Sequence, residues 1–384
     1  MRSLSFEFAT AARVVFGPGR ALDLPAMLDG WGDRAVVLTG SRPERHGDLI
    51  AALPMGVVIV TVSGEPTVDV ARSAVAAARE HGAQAVVSIG GGSVIDLGKT
   101  VAMLLGNGGD PLDYLEVIGR GQPISRPSVP FAALPTTAGT GAEVTMNAVL
   151  ASPEHGRKAS VRARSMLPAL ALVDPLLTVD CPPAVTAASG LDALTQCLEP
   201  LVSRNATPIT DALAAAGLRH AAAGLRAAYA DGSDVAARTE MALCSLLGGM
   251  SLANAKLGAV HGFAGVIGGL APVAHGAICA TLLAPVTEAN VAALRERDPD
   301  NPALAAYCRA AELLTGRPDA SVEDGIEWIA ETVRRLGIPG LTAGGLDPGL
   351  VDDVVAKTGS SSSTKGNPVD LTPQELHRAL VAAL

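Results

Sequence analysis

A chain of 384 residues, 48% hydrophobic and 17% charged, has material for a large core and for two or three domains, which excludes a disordered protein. A net charge of −9 and an aromatic content of 3% exclude a phosphate-tracking, base-stacking surface, so nucleic acid is not an expected partner. Cys181, Cys197, Cys244, Cys279 and Cys308 show no CxxC spacing and read as buried free thiols of a reducing cytoplasm.

The opening MRSLSFEFATAARVVFG lacks the apolar stretch of a secretory leader. No apolar run approaches about 20 residues without charge or punctuation, so no membrane span is expected. RAVVLTG (34–40) reads as a strand, with a helix following from about Pro43. MGVVIVTV (55–62) is a second strand, and Thr67 opens the helical TVDVARSAVAAAREHG. AQAVVSIGGGSVIDLGKTVAMLL gives strand, glycine turn and helix, and PFAALPTT (130–137) is a further strand. This alternation predicts a parallel sheet covered on both faces. From about Pro183 the pattern changes to long Ala/Leu-rich helices over 184–202, 207–229, 233–255 and from 259 onward. GSSSSTKGNP (359–368) reads as a loop before a last helix at 373–383. The expected organisation is an α/β domain over 1–180 and an all-helical domain over 181–384, with Pro182 and Pro183 punctuating the boundary. A cleft between two such domains is the default place for a site.

In SIGGGSVID, Gly90, Gly91 and Gly92 follow an apolar strand and lead into a helix. Bare glycines and free N–H groups at a helix start suit a phosphate, and Ser93 can cap the helix or donate to the anion. The spacing is not GxGxxG, so an ordinary tight turn is an equal alternative. PTTAGTGAEVT then places Thr136, Thr137, Thr140 and Gly141 after a second strand, where α/β folds bind ligands. Two such turns favour a dinucleotide. In GLDALTQCLEP, Asp192 and Gln196 lie one helical turn apart on one face. His261 and His275 follow in apolar, glycine-rich context. An apolar-face histidine is commonly a satisfied core residue, whereas two beside one Asp suit Fe²⁺ or Zn²⁺ with an open position.

GGGSVIDLGK, PTTAGTGAEVT, DALTQCLEPLVS and VHGFAGVIGG…HG, in this order, resemble the iron-containing (group III) alcohol dehydrogenases. The resemblance places the chain in the superfamily of glycerol dehydrogenase and dehydroquinate synthase, and it runs from VVFGPGR to KGNPVDLTPQEL. It implies a Rossmann-like N-terminal domain and an all-α C-terminal domain, with NAD or NADP and a divalent metal, and a small alcohol or aldehyde as substrate. It also implies a cytoplasmic homo-oligomer, a dimer or larger. By motif, Gly91, Gly92 and Ser93 would contact the pyrophosphate and Asp96 would help hold that turn. Thr136, Thr137, Thr140, Asn147 and Lys158 would line the cofactor site, with Leu177 near the adenosine. Asp192, His261 and His275 match metal ligands, the two histidines serving the chemistry; the family's fourth ligand, a histidine, is here Gln196.

Gln196 could coordinate through its amide oxygen, bind a metal-bound water, or mark a lost metal as in the related maleylacetate reductases. Gly265 stands where many relatives carry a proton-transferring histidine, and Gly40 where many carry a ribose-binding Asp. With Arg42 and Arg45 nearby, the missing carboxylate leaves NADP use open, although both arginines also read as solvated loop charges.

Overall fold

The structure is a computed structural model describing residues 5–384. Residues 1–4 of the opening segment, read above for a leader, lie outside the described residues. The chain divides into two compact units. One is Ala9–Thr137 with Gly141–Val179; the other is Asp180–Leu384 with Ala138–Thr140 and the segment ending at Phe8.

The first unit carries strands β1 (Val14–Phe16), β2 (Arg34–Gly40), β3 (Gly56–Val62), β4 (Ala85–Gly90), β5 (Phe131–Pro135), β6 (Asn147–Ser152), β7 (Arg157–Arg162) and β8 (Leu170–Val173). Its helices are α1 (Leu24–Met27), α2 (Gly47–Ala51), α3 (Val68–His81), α4 (Gly92–Asn107) and α5 (Pro111–Tyr114). Six strands form a parallel sheet in the order β1-β8-β5-β4-β2-β3, and β6 and β7 pair as an antiparallel hairpin.

Alternation along the strands splits the core. Val36, Leu38 and Val86 face Ala71, Ala74 and Leu97 of α3 and α4, whereas Val37, Val87 and Ile89 face Leu24, Leu28 and Ile50. Both faces are covered, which is why these strands read as continuous apolar runs. Thr67 caps α3 by accepting from the Val70 N–H (3.1 Å), and Gly82, at φ 71°, closes it. Asp174 accepts from the N–H groups of Gly19 (3.0 Å) and Ala21 (2.8 Å), which joins the ALVDP and VVFGPGR segments beside the β1–β8 pair.

Three parts of this unit were not read from the sequence. β1 and β8 have only three and four residues, too few to show a period. The β6–β7 hairpin buries Ala148, Leu150, Ala159 and Val161 on one face, but its NAVLAS and RKASVR strands are short and mix apolar residues onto the other face. Ser93 is also corrected: α4 begins at Gly92 with an extended Gly91 at its cap, so Ser93 lies inside the first turn. The helix thus starts two residues earlier than a Ser93 cap would place it.

The second unit is helical: α6 (Pro183–Val202), α7 (Pro208–Ala230), α8 (Val235–Ala255), α9 (Ala259–Leu270), α10 (His275–Arg297), α11 (Pro302–Thr315), α12 (Val322–Arg335), α13 (Val351–Gly359) and α14 (Pro373–Val381). α6 is its centre and is buried throughout Gly190–Val202. A Cβ on Gly248 would lie 3.2 Å from the Cys197 Sγ and 3.3 Å from the Gln196 Cβ, so the bare glycine lets α8 close over α6 at Gln196. α10 is long and apolar enough to cross a membrane by length and composition, but Pro285 and Glu288 interrupt it and 67% of its apolar window is buried. It is a core helix of this unit. The thiols are not uniformly buried: Cys197, Cys244 and Cys279 are, Cys181 is half-buried, and Cys308 lies exposed on α11.

Two helical glycines near the candidate ligands behave oppositely. A Cβ on Gly276 would run into the Ala188 backbone carbonyl, whereas one on Gly265 meets nothing within 4 Å. Gly276→Ala should therefore destabilise by about 1–3 kcal/mol. Gly265→Ala should stabilise by about 0.5–1 kcal/mol through helix propensity. Urea melts of the two variants check this; equal midpoints would refute the close approach of α10 to α6.

Candidate metal centre and dinucleotide turn

Asp192 and Gln196 project from the same face of α6, one turn apart, in a helix whose flanks are packed with Leu191, Leu194 and Leu198. His261 comes from the first turn of α9, and His275 opens α10. The three helices bring the side chains together. His261 Nε2 lies 3.3 Å from Asp192 Oδ1, His275 Nε2 lies 3.9 Å from the same oxygen, and the two rings are 5.5 Å apart. One donor atom each from Asp192, His261, His275 and Cys279 falls within a 4.8 Å cluster.

Glu199, one turn beyond Gln196 on α6, fixes the orientation of His261. Its Oε2 accepts from the Nδ1–H of His261 (2.7 Å), and its Oε1 accepts from the Val260 N–H (2.8 Å). The carboxylate thus satisfies the start of α9 and leaves the His261 Nε2 facing Asp192. A Cβ on Gly258 would come within 2.8 Å of that carboxylate, so the chain needs a glycine there. Sequence reading gave no role to Glu199 or Cys279. Both had a signal: Glu199 is a buried acid on the face of Asp192 and Gln196, and Cys279 stands four residues after His275.

Charge in the cluster is tightly linked. Burial opposes ionisation of Asp192, yet hydrogen bonding to His261, the charges of His275 and His261 and a hydrogen bond from Gln196 hold its carboxyl down to about 2. Burial opposes protonation of His261, but Cys279, Glu199 and Asp192 raise its pKa well above the usual value. His275 is raised in the same way, against burial, by Cys279 and Asp192. Such a site holds positive charge, as protons or as a cation. Gln196 Oε1 is buried with no hydrogen-bond partner, and Asp192 Oδ1 is met only by the long 3.3 and 3.9 Å approaches of the two imidazoles; a buried oxygen left this way is uncommon unless a ligand takes it up. The donor set of carboxylate, two imidazoles and an amide oxygen fits a divalent transition metal.

In the α/β unit, β2 neighbours β3 on one side and β4 on the other, so strand order reverses between β2 and β4. Gly40 ends β2 and Gly90 ends β4, which puts both at the carboxyl-end crevice where such sheets bind ligands. Gly91 and Gly92 lead into α4, and a Cβ on Gly91 would lie 3.3 Å from Thr137 Oγ1. Thr136 is tied to the turn through its N–H to the Gly90 carbonyl (3.0 Å). Asp96 Oδ2 accepts from the Val149 N–H (3.0 Å) of β6, so it braces the hairpin against α4.

Lys99 was not singled out in the sequence. It is fully buried and donates to Thr145 Oγ1 and the Asn147 carbonyl, each at 2.7 Å. Burial lowers the Lys99 pKa against the charge of Asp96, and burial raises Asp96 against Lys99. Burial also pushes the nearby Glu143 up to about 7.

Lys158 on β7 pairs with Glu65 (2.6 Å), and Leu177 packs against the Leu24–Leu28 side of the sheet. Thr140 is exposed and belongs to the helical unit, separate from Thr136 and Thr137. Arg42 and Arg45 are exposed, and neither side chain makes an ion pair among the described residues.

Two family models match the chain: iron-containing alcohol dehydrogenase over residues 11–175, and the Fe-containing alcohol dehydrogenase family, C-terminal, over 186–384. The chain belongs to the iron-containing alcohol dehydrogenase family. It is 32% identical over 295 residues to the choline dehydrogenase of Bacillus subtilis (strain 168), covering 76% of this chain and 72% of that protein. A solved 1,3-propanediol oxidoreductase superposes with a TM-score of 0.90 at 31% identity, covering 99% of this chain and 100% of that one. The sulfoacetaldehyde reductase of Bifidobacterium kashiwanohense, solved in complex with NAD⁺, superposes with a TM-score of 0.87 at 26% identity, covering 99% of each chain. As a member of this family the chain is an oxidoreductase of the alcohol dehydrogenase type.

The linkage of His261 to Glu199 is directly testable. Glu199→Ala leaves two buried N–H donors without acceptors, which should cost roughly 2–4 kcal/mol of stability. Metal retention should fall on the order of 10–100-fold, because the ring loses the partner that orients it. Denaturation midpoints and metal content after dialysis measure the two effects. A variant unchanged in both would show that Glu199 does not position His261.

Proposed function

We propose that this enzyme interconverts a small alcohol and its aldehyde or ketone by hydride transfer with NAD or NADP, using a divalent metal held by Asp192, His261 and His275. The observation that supports it most is the cluster itself: a buried carboxylate oxygen facing two imidazoles, beside a buried amide oxygen with no hydrogen-bond partner. Bound there, a divalent cation supplies a Lewis acid for the substrate oxygen and the alkoxide that develops on it. Asp192 stays ionised, Glu199 aims His261, and the unpartnered Gln196 oxygen is left to meet the ion or its water.

Toward the cofactor, Gly91, Gly92 and Ser93 offer N–H groups at the start of α4 to a pyrophosphate, and a Cβ at Gly91 would come within 3.3 Å of Thr137 Oγ1. Asp96, together with Lys99, holds the turn from behind. Thr136, Thr137, Thr140, Asn147, Lys158 and Leu177 are assigned to the cofactor site on the family motifs alone. Gly265 is exposed with open space where an imidazole would project, so the proton leaves by water or a ribose hydroxyl, and a bulkier substrate fits. A cytoplasmic homo-oligomer, a dimer or larger, completes the reading.

A metal-free reductase similar to maleylacetate reductase is the second reading, and Gln196 in place of histidine favours it. The buried carboxylate and amide oxygens of the cluster oppose it. Elemental analysis of protein purified without chelator separates the two.

An aldehyde and alcohol panel with NADH and NADPH tests the activity; no turnover with any member would overturn it. Gly40 supplies no carboxylate against a 2′-phosphate, so NADPH should be used at least as well as NADH. A Cβ at Gly40 meets nothing within 4 Å, so Gly40→Asp should fold and shift the kcat/KM ratio toward NADH on the order of tenfold, about 1.4 kcal/mol. A wild type already strongly selective for NADH would mean that Arg42 and Arg45 play no part.

A further inference from the structure

We propose that Cys279 is a metal ligand, bound as a thiolate, and that it supplies the fourth position which Gln196 leaves without an imidazole. The inference rests on the reading that a divalent ion sits among Asp192, His261 and His275.

Cys279 lies on α10 one turn after His275, so both project from one face. Its side chain is fully buried, and its Sγ lies 3.7 Å from His275 Nε2 and 3.9 Å from His261 Nε2. A thiol that only filled space would face apolar groups or another thiol. Cys197 and Cys244 do so, with their sulfurs 3.9 Å apart inside the helical core. Cys279 instead meets the two nitrogens that also face Asp192.

Three of the four donor separations lie close to the edges of a coordination polyhedron, and the His275–Asp192 distance is longer. Bonds of about 2.3 Å to sulfur and about 2.0–2.1 Å to nitrogen or oxygen give a tetrahedral ion sulfur–nitrogen edges of about 3.6 Å and oxygen–nitrogen edges of about 3.3 Å. The measured sulfur–nitrogen distances are 3.7 and 3.9 Å, and the oxygen–nitrogen distances are 3.3 and 3.9 Å. The buried Gln196 Oε1, which has no hydrogen-bond partner, is a separate sign of a ligand beside Asp192.

Binding is an exchange without redox change: the thiol S–H bond breaks, a sulfur–metal bond forms, and the proton passes to solvent. One thiolate and one carboxylate neutralise a divalent ion in a buried site, which lowers the cost of burying charge. Thiolate is a soft donor and biases the site toward Zn²⁺ over Fe²⁺.

Cobalt(II) tests the assignment without recourse to activity. The full-length protein is stripped with chelator and reloaded with one Co²⁺ per chain. A near-ultraviolet sulfur-to-cobalt charge-transfer band should appear, survive Cys308→Ser, and vanish in the near-isosteric Cys279→Ser. Adding Gln196→His to Cys279→Ser should recover cobalt retention without the band. Stoichiometric cobalt with no band, or a band that survives Cys279→Ser, would overturn the proposal. So would a protein that retains no ion; if such a protein still turned over NAD(P)H with an aldehyde, the oxidoreductase reading would stand without a metal. A thiolate band in a protein with no turnover would leave the ligand assigned and the activity wrong.

Discussion

A carboxylate buried in the middle of an Ala/Leu-rich helix is the constraint on which the helical unit depends. Removing Asp192 from water is costly unless positive charge or donors are delivered to it. The fold delivers them from two other helices, with His261 in the first turn of α9 and His275 at the start of α10. Packing around α6 is close. Gly248 and Gly276 are bare because α8 and α10 come close to α6, at Gln196 and at Ala188 respectively.

A second layer of polar groups holds the first in place. Glu199 is itself buried, and it repays its desolvation by accepting from His261 Nδ1 and from the Val260 N–H. The other early N–H of α9, that of Ala259, donates to Asn367 Oδ1 (3.1 Å). Asn367 in turn donates to Asn290 Oδ1 and to the Val369 carbonyl, each at 2.7 Å, and the Asn290 amide donates to the Tyr307 hydroxyl (3.1 Å). The KGNP segment near the chain's end therefore fixes the entry of α9, and through it the angle at which His261 meets Asp192. The motif's position, far from any ligand in sequence, follows from the buried N–H groups it must satisfy.

The α/β unit solves a similar problem with the opposite charge. Lys99 has no exposed surface, and its ammonium is met by Thr145 Oγ1, the Asn147 carbonyl and, at 3.5 Å, Asp96. Asp96 lies on α4 with Lys99, but Thr145 lies on the loop after β5 and Asn147 on β6, so one buried amine fastens the PTTAGTGAEVT segment and the hairpin to α4. The glycine turn before α4 is thereby backed by groups with fixed partners one turn into the helix. In both units a buried charge with fixed partners sits one step behind the atoms that would meet a ligand.

How much of this was legible follows from the range of each signal. Strands of the α/β unit such as RAVVLTG and the long helices announce themselves because periodicity acts within a dozen residues, and Asp192 beside Gln196 is visible as one turn of α6. β1, β8 and the β6–β7 hairpin escape because they are too short or too mixed to show a period. The family motifs then carried the ligand assignments, since no local rule joins residues 192, 261 and 275. Glu199 and Cys279 were missed for a related reason. Each shares a helix face with a residue already suspected, but a buried acid or thiol is informative only once its neighbour from another helix is known. Pairing across helices is set by packing, and packing is where the departures from the family pattern acquire meaning. Gln196 alone looks like a lost ligand; beside a buried sulfur facing the same two imidazoles, it looks like a ligand that has moved from α6 to α10.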